Sequence, residues 1–364
     1  MVFTYLVRLR IVFISNIEAI LVFGWKVKQS QVAQKKTLSK TKHIAFIETL
    51  RAFAACSVMG FHFITWNNGI GDIYWNETVK GIATYGAQGV ELFYIISGFV
   101  ITFALTRSGY RIMHYGKYVL KRVIRIIPVF FMTIFAIYSF EIFMAKIFWG
   151  YEIQLDYSNI LANLTFTVDL WEGATWINPI FSTLGVEFQF YLLIGLLLPI
   201  IQCKAWHKYV VLSLLILAGL STMEHQTVLV NMPYFAIGIV IHDIHAKKLL
   251  HSSYVFLGLL FIVLLRYYML EDFIVSVITL LFFLVIKPSF RASNEIGKIS
   301  YSLYLTHGLF GGWLLFFLSR DEYINLSPYL IIPMAFVFSL IGAKVFYLLF
   351  EKPSISWGKK IKYK

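Results

Sequence analysis

The chain has 364 residues, of which 59% are hydrophobic, 18% aromatic and only 14% charged, with a net charge of +13; its mean hydropathy is +0.73. Soluble domains carry about 25% charged residues, so a soluble globular fold, a disordered chain and a disulfide scaffold are excluded, and a multi-pass membrane protein remains. The basic excess has to be set against the positive-inside rule before it is read as a nucleic-acid signal.

Residues 1–43 contain a short apolar stretch, Ile11–Trp25, interrupted by Glu18, and a lysine-rich approach to the first span. They read as an interfacial or poorly ordered extension. Apolar runs suited to about 30 Å of hydrocarbon then follow at 44–65, 84–106, 126–148, 181–201, 209–223, 228–243, 253–270, 273–287, 299–318 and 329–350. They are expected to be helices, because lipid offers backbone groups no partners and no alternating barrel pattern is present. Basic residues cluster in alternate connections: before the first span, at Arg107–Arg125, at Lys204 and Lys208, at Lys247 and Lys248, at Lys287–Lys298, and from Lys352 onward. The longest opposite connection, 149–180, has Glu152, Asp156, Asp169 and Glu172 and no Lys or Arg. The expectation is an all-α polytopic membrane bundle of about ten transmembrane helices with both termini cytoplasmic. It divides into the extension 1–43, a membrane domain 44–353 and a basic cytoplasmic tail 354–364.

Ionisable residues inside spans are costly and mark internal cavities or partners. The first span holds Glu48, Arg51 and His62. Eleven residues separate Arg51 from His62, which returns the side chain to within about 20° of the same face, roughly 16 Å along the axis. Glu48 lies at i,i+3 to Arg51 and is placed to pair with it. The alternative reading has Arg51 snorkelling to the inner interface and His62 in the outer headgroups. Glu91, in the second span, suits either a core partner for a basic residue or a contact to a polar substrate; Ser97 and Gly98 suit close helix packing. Lys121, Arg122 and Arg125, followed by Pro128, stand where the third span enters. They serve equally as a topology signal or as a phosphate site built on paired guanidiniums. Glu187 occupies the fourth span. In the ninth, Tyr301, Tyr304 and His307 recur every three residues along one polar face. Glu351 closes the tenth, beside Lys352, as an expected interfacial ion pair. His242-Asp243-Ile-His245 reads as a surface feature rather than a metal site. No metal site, Walker loop, dinucleotide motif or nucleophile elbow is found. Cys56 and Cys203 suggest no disulfide.

In this order the motifs resemble the membrane-bound acyltransferase-3 family of bacterial polysaccharide O-acyltransferases. The resemblance runs over about 43–353. It rests on Ile47-Glu-Thr-Leu-Arg-Ala-Phe-Ala-Ala with His62, Gly89-Val-Glu-Leu-Phe-Tyr-Ile-Ile-Ser-Gly-Phe, Lys121-Arg-Val-Ile-Arg-Ile-Ile-Pro, Glu187 with Tyr191, Ile299-Ser-Tyr-Ser-Leu-Tyr-Leu-Thr-His, and Phe350-Glu-Lys-Pro. Family members often have Asp at Glu48 and Glu91, Arg at Lys121, Trp at Gly308 and Pro at Phe310. The resemblance implies transfer of an acyl group, usually acetyl, from cytoplasmic acyl-CoA to a carbohydrate hydroxyl, in a bacterial inner membrane. On that footing His62 is the general base and Arg51, with Glu48, assists it. Lys121, Arg122 and Arg125 bind the phosphates of acetyl-CoA, which is a donor substrate rather than a resident cofactor. Glu91, Glu187, Tyr304 and His307 line the substrate cavity. The implied partners are acyl-CoA, a polysaccharide or lipid-linked carbohydrate acceptor and membrane lipids, with no nucleic acid. A transporter or flippase for a lipid-linked saccharide is the alternative; it shares the embedded charges but needs no CoA site.

Overall fold

The computed structural model describes residues 45–65, 77–203, 205–223, 227–246, 250–287, 289–319 and 326–363. The expected extension 1–43, with its lysines, and Lys204, Lys247 and Lys248 lie outside the described residues. The chain divides into two units, Met1–Ile47 and Glu48–Lys364, and every site residue belongs to the second.

The described residues are mostly helical, with no strand among them. Among the described residues, six helices are long and apolar enough to cross a membrane: α1 (Ala45–Thr65), α2 (Glu77–Arg107), α3 (Ile112–Phe148), then Ile180–Gln202, Ser300–Leu318 and Tyr329–Lys360. A short helix, α4 (Tyr157–Leu164), lies between α3 and the fourth of these. In chain order the rest are α5 (Ile180–Cys203), α6 (Ala205–Leu220), α7 (Met232–His245), α8 (Leu250–Tyr267), α9 (Leu270–Leu281) and α10 (Arg291–Lys298). The long helices α11 (Ser300–Leu318) and α12 (Tyr329–Lys360) complete the bundle. The expected spans are thus each helical, but four of them, α6 to α9, are shorter than a full crossing. The helices of the third and tenth expected spans extend beyond their apolar cores: α3 begins ahead of Lys121 and Arg125, and α12 runs through a π-helical turn at Tyr347–Glu351 into a helix ending at Lys360.

Two packing centres hold the site. The first joins α1, α11 and α12 through Met59, Phe63, Leu303, Leu315, Ile331 and Ala335. The second joins α2, α5 and α7, where Phe190 stacks on Phe235 at 4.0 Å and Tyr94 meets Phe235 at 4.8 Å. Here glycine sets the spacing: a Cβ at Gly98 would fall 2.3 Å from the Phe235 carbonyl oxygen, and one at Gly238 would fall 2.1 Å from the Ile95 carbonyl oxygen. The two backbones touch because neither carries a side chain. Gly98→Leu is therefore expected to force α2 and α7 apart, at a cost of at least about 1–3 kcal/mol for overpacking; thermal unfolding in detergent reads the loss.

The 149–180 connection is ordered by its polar side chains. Asn163, fully buried, donates to the carbonyls of Asn159 and Thr175 and accepts from the Ile177 N–H, at 2.9, 2.9 and 3.1 Å. Asp156 caps α4, accepting the Asn159 N–H at 3.0 Å and the Ser158 hydroxyl. The Ser158 hydrogen bond, then that of Asn159, holds the Asp156 carboxyl below the usual carboxylate range. A lowered folded-state value contributes stability above the unfolded value and loses it on acidification. Protection of the α4 amides, taken against their intrinsic exchange rate at each pH, is therefore expected to fall as pH drops below about 4, and Asp156→Asn should remove that pH dependence.

Candidate functional site

The site grows from five helices, α1, α2, α3, α5 and α11, that bring polar side chains together. On α1, Arg51 and His62 both face inward, as their eleven-residue spacing requires. His62 Nδ1 lies 2.8 Å from His307 Nε2 on α11, with the two rings stacked at 5.0 Å between centroids and 11° between planes. His307 is 1% exposed. Its Nδ1 sits 2.8 Å from the Tyr304 carbonyl and 3.1 Å from that of Leu303.

These contacts assign the protons. A carbonyl oxygen only accepts, so His307 Nδ1 carries the hydrogen. In a neutral ring Nε2 is then the acceptor, and His62 Nδ1 must donate to it. The lone pair of His62 is thereby set on Nε2, the nitrogen that can take a proton. The order matters: a backbone carbonyl on α11 fixes the tautomer of His307, and His307 fixes that of His62. Directly after His307 the helix widens into a π-helical turn, Gly308–Gly312. A Cβ at Gly311 would fall 2.2 Å from the Phe63 ring, so the turn seats α11 against α1 beside the histidine pair.

Beside this pair lies a cavity of about 770 Å³, its mouth included, between α1, α2, α3, α5 and α11. Its charged lining consists of Arg51, Arg122, Arg125 and Glu187, three guanidiniums against one carboxylate. Arg51 donates from Nε to Ser300 Oγ at 3.1 Å. Arg122 is held between the rings of Tyr118 and Tyr191, each 5.3 Å away. Among the described residues its buried Nε has no hydrogen-bond partner, and neither Arg122 nor Arg125 has a carboxylate within ion-pair distance. Glu187 instead accepts two hydroxyls, from Ser97 and Tyr191. A planar, always-charged group clamped by aromatic faces, with no carboxylate in ion-pair distance among the described residues, can hold an anion.

Three expected site residues stand elsewhere. Glu48 does not pair with Arg51; its Oε2 is buried without a hydrogen-bond partner among the described residues, because Arg51 turns across to Ser300. Lys121 leaves the cavity and lies over the Tyr363 ring at 4.7 Å, one residue before Arg122 and so rotated about 100° around α3. Glu91 faces away from the cavity that its neighbours Val90, Phe93 and Tyr94 line. With the Gln88 amide oriented to donate, Gln88 bridges Glu91 at 2.9 Å and Asp272 at 3.1 Å.

Two other readings change on packing. Glu351 is no interfacial ion pair: it is 1% exposed and accepts both the Ser302 hydroxyl at 2.7 Å and the Ser302 N–H at 3.2 Å. The carboxylate thus caps an open N–H in the first turn of α11, aided by the charges of Arg125 and Arg51. His242 and Asp243 are not on the surface. Both are buried, Asp243 being paired with Lys208 of α6 and bonded to His242 Nδ1 at 3.3 Å. An ion pair of this kind offsets the desolvation that would otherwise hold the charges at the interface. Residues passed over in the sequence also enter the site: Thr183 supplies a hydroxyl and Tyr118 clamps an arginine, while Ser97, read as a packing residue, donates its hydroxyl to Glu187. The i,i+4 spacing of Tyr118 and Arg122 was the available signal for that clamp.

Comparison with known proteins follows the same lines. No solved structure matches the chain. Nodulation protein 10 of Rhizobium leguminosarum bv. viciae is 27% identical over 172 residues, 42% of this chain and 44% of that protein, so the chain spans less than half of that relative's length. Residues 44–348, from just ahead of α1 into the π-helical turn Tyr347–Glu351, match a family described as an acyltransferase domain. With an inward-facing histidine pair beside an arginine-lined cavity in a membrane bundle, the chain belongs to the acyltransferase-3 family.

Proposed function

We propose that the protein transfers an acyl group, acetyl in the first instance, from cytoplasmic acyl-CoA to a hydroxyl of a surface or exported carbohydrate in a bacterial inner membrane. The observation that carries this reading is the proton order Tyr304 carbonyl–His307–His62, which leaves a basic Nε2 beside a cavity with excess guanidinium charge. Arg122 and Arg125 hold the CoA phosphates. Arg51, seated on Ser300, orients the donor or offsets charge developing on the thioester oxygen. His62 Nε2 takes the proton of the acceptor hydroxyl as its oxygen attacks the thioester carbon. The carbon–sulfur bond then breaks, and the imidazolium returns the proton to the CoA thiolate. The carbohydrate reaches His62 from the side of the 149–180 connection, whose Pro179 borders the His62 chamber; exposed Tyr151 and Trp171 on that connection offer stacking faces to a sugar.

The same reading has α6 to α9 completing ten spans, with both termini and the basic connections on the cytoplasmic side. Glycan NMR on wild-type and deletion strains tests the proposal. A missing O-acyl ester in the deletion strain supports it, and identifies both the group and the sugar position. An unchanged ester pattern with altered glycan export would favour a saccharide transporter instead.

A further inference from the structure

Resting on the acyl-transfer reading, a second feature of the cavity gives its partition a chemical role. His62 does not line the arginine cavity; it lines a neighbouring, open chamber of about 580 Å³, its mouth included. Three residues, Val90, Thr183 and Tyr304, line both spaces. Together they form the wall that separates the base from the donor site. Across that wall the Thr183 and Tyr304 hydroxyls meet at 2.6 Å. Thr183 Oγ1 also donates to the Ile180 carbonyl at 2.8 Å. A threonine hydroxyl has a single hydrogen, so in the Thr183–Tyr304 contact Tyr304 is the donor. The ring of Tyr304 is steadied by an edge-on contact with Phe93 at 5.5 Å. Its backbone carbonyl is the group that sets the His307 tautomer.

We propose that the Tyr304–Thr183 bond is a latch between donor cavity and histidine chamber, and that Tyr304, once released, donates its hydroxyl to the thioester carbonyl oxygen. The geometry carries it. The arginine cavity and the His62 chamber share this wall, and of its three residues Val90 offers no polar group. The donor already pointing at the wall is the phenol O–H, which exchanges a neutral acceptor, Thr183 Oγ1, for an oxygen that becomes negatively charged as the hydroxyl adds. That exchange favours the transition state over the ground state. With the latch closed, the thioester is screened from water activated by His62. Water would otherwise add to the carbonyl, lose its proton to His62 and release acetate and CoA. One tyrosine thus serves both ends of the site, by its carbonyl on the histidine pair and by its hydroxyl on the donor.

The test uses full-length protein in lipid nanodiscs with radiolabelled acetyl-CoA, with and without alkali-deacetylated surface polysaccharide from the producing strain. Thr183→Val preserves shape and removes the latch acceptor; it is expected to raise acceptor-free hydrolysis at least about fivefold. Tyr304→Phe is expected to lower kcat for ester formation by about 10²–10³, as loss of one oxyanion donor does, with donor affinity within about twofold. In the double variant the excess hydrolysis should vanish, because the released hydroxyl is gone. Matched thermal unfolding midpoints exclude a merely structural effect, and Thr183→Ser, which restores a hydroxyl, should return hydrolysis to the wild-type level. Wild-type hydrolysis in Thr183→Val, or wild-type kcat in Tyr304→Phe, overturns the latch while acyl transfer stands. If the wild-type protein forms no glycan ester, the acyl-transfer reading falls and the latch with it.

Discussion

His62→Ala is expected to lower acyl transfer by about 10²–10⁴-fold, the usual contribution of a positioned general base, with membrane insertion and protein level unchanged. The reason lies in the proton order. His62 Nδ1 is committed to His307 Nε2 at 2.8 Å, so Nε2 is the only ring atom with a lone pair for the acceptor hydroxyl, and alanine removes it. His307→Phe tests the same chain from its other end. It keeps an aromatic ring in the stack but deprives His62 Nδ1 of its acceptor, so the imidazole loses its tautomer and its orientation. A loss on the order of tenfold to a hundredfold is expected, as for other outer partners of working histidines. Radiolabel transferred to glycan per unit of membrane-inserted protein reads both variants. Full transfer by His62→Ala would remove the base assignment.

Arg122→Ala with Arg125→Ala should weaken acetyl-CoA binding by at least about a hundredfold. Charge-assisted hydrogen bonds contribute about 1.5–3 kcal/mol each, and two of them exceed the 1.4 kcal/mol of a tenfold change in affinity twice over. The aromatic clamp sharpens the expectation: Tyr118 and Tyr191 hold the Arg122 guanidinium at 5.3 Å from each ring, so little ordering remains for the donor to impose. Paired lysines should recover only part of the affinity, because an ammonium keeps the charge and loses the planar fork and the stacking. Lys121→Ala is the control on the same helix. Its ammonium lies over Tyr363, away from the cavity, and donor affinity should change by less than about threefold. Equilibrium binding of acetyl-CoA to purified protein checks all three, and wild-type affinity in the double alanine variant would move the donor site elsewhere.

Much of this site was legible before any fold was known, and the reason is helical geometry. Arg51 and His62 share a face because eleven residues nearly close three turns, and Tyr304 and His307 share one because they stand three apart. Both pairs face inward in the structure. The same arithmetic applied to Glu48 and Arg51 put them within reach, yet Arg51 bonds to Ser300 from another helix. Spacing along one helix says which side chains share a face; it does not say what a second helix offers to that face. Glu91 shows the same limit. Its neighbours line the cavity, and a turn of 100° sends it to Gln88 and Asp272 instead.

The amino-acid sequence by itself determined that this is a helical membrane protein, where its apolar segments fall, and which few polar residues those segments carry. Each follows from the cost of leaving backbone or charge unsatisfied in hydrocarbon, and that cost depends on composition and spacing along the chain. Tertiary structure alone decided which of those polar residues meet. The His62–His307 bond, the Arg122–Tyr191 side of the arginine clamp, the Glu351 cap on α11 and the Thr183–Tyr304 wall each join groups far apart in sequence, on different helices. Their geometry is set by how closely α1, α2, α3, α5, α7, α11 and α12 approach. At Gly98, Gly238 and Gly311 that approach depends on the absence of a side chain in one helix opposite the backbone or ring of another, a property of pairs of surfaces that no single segment contains.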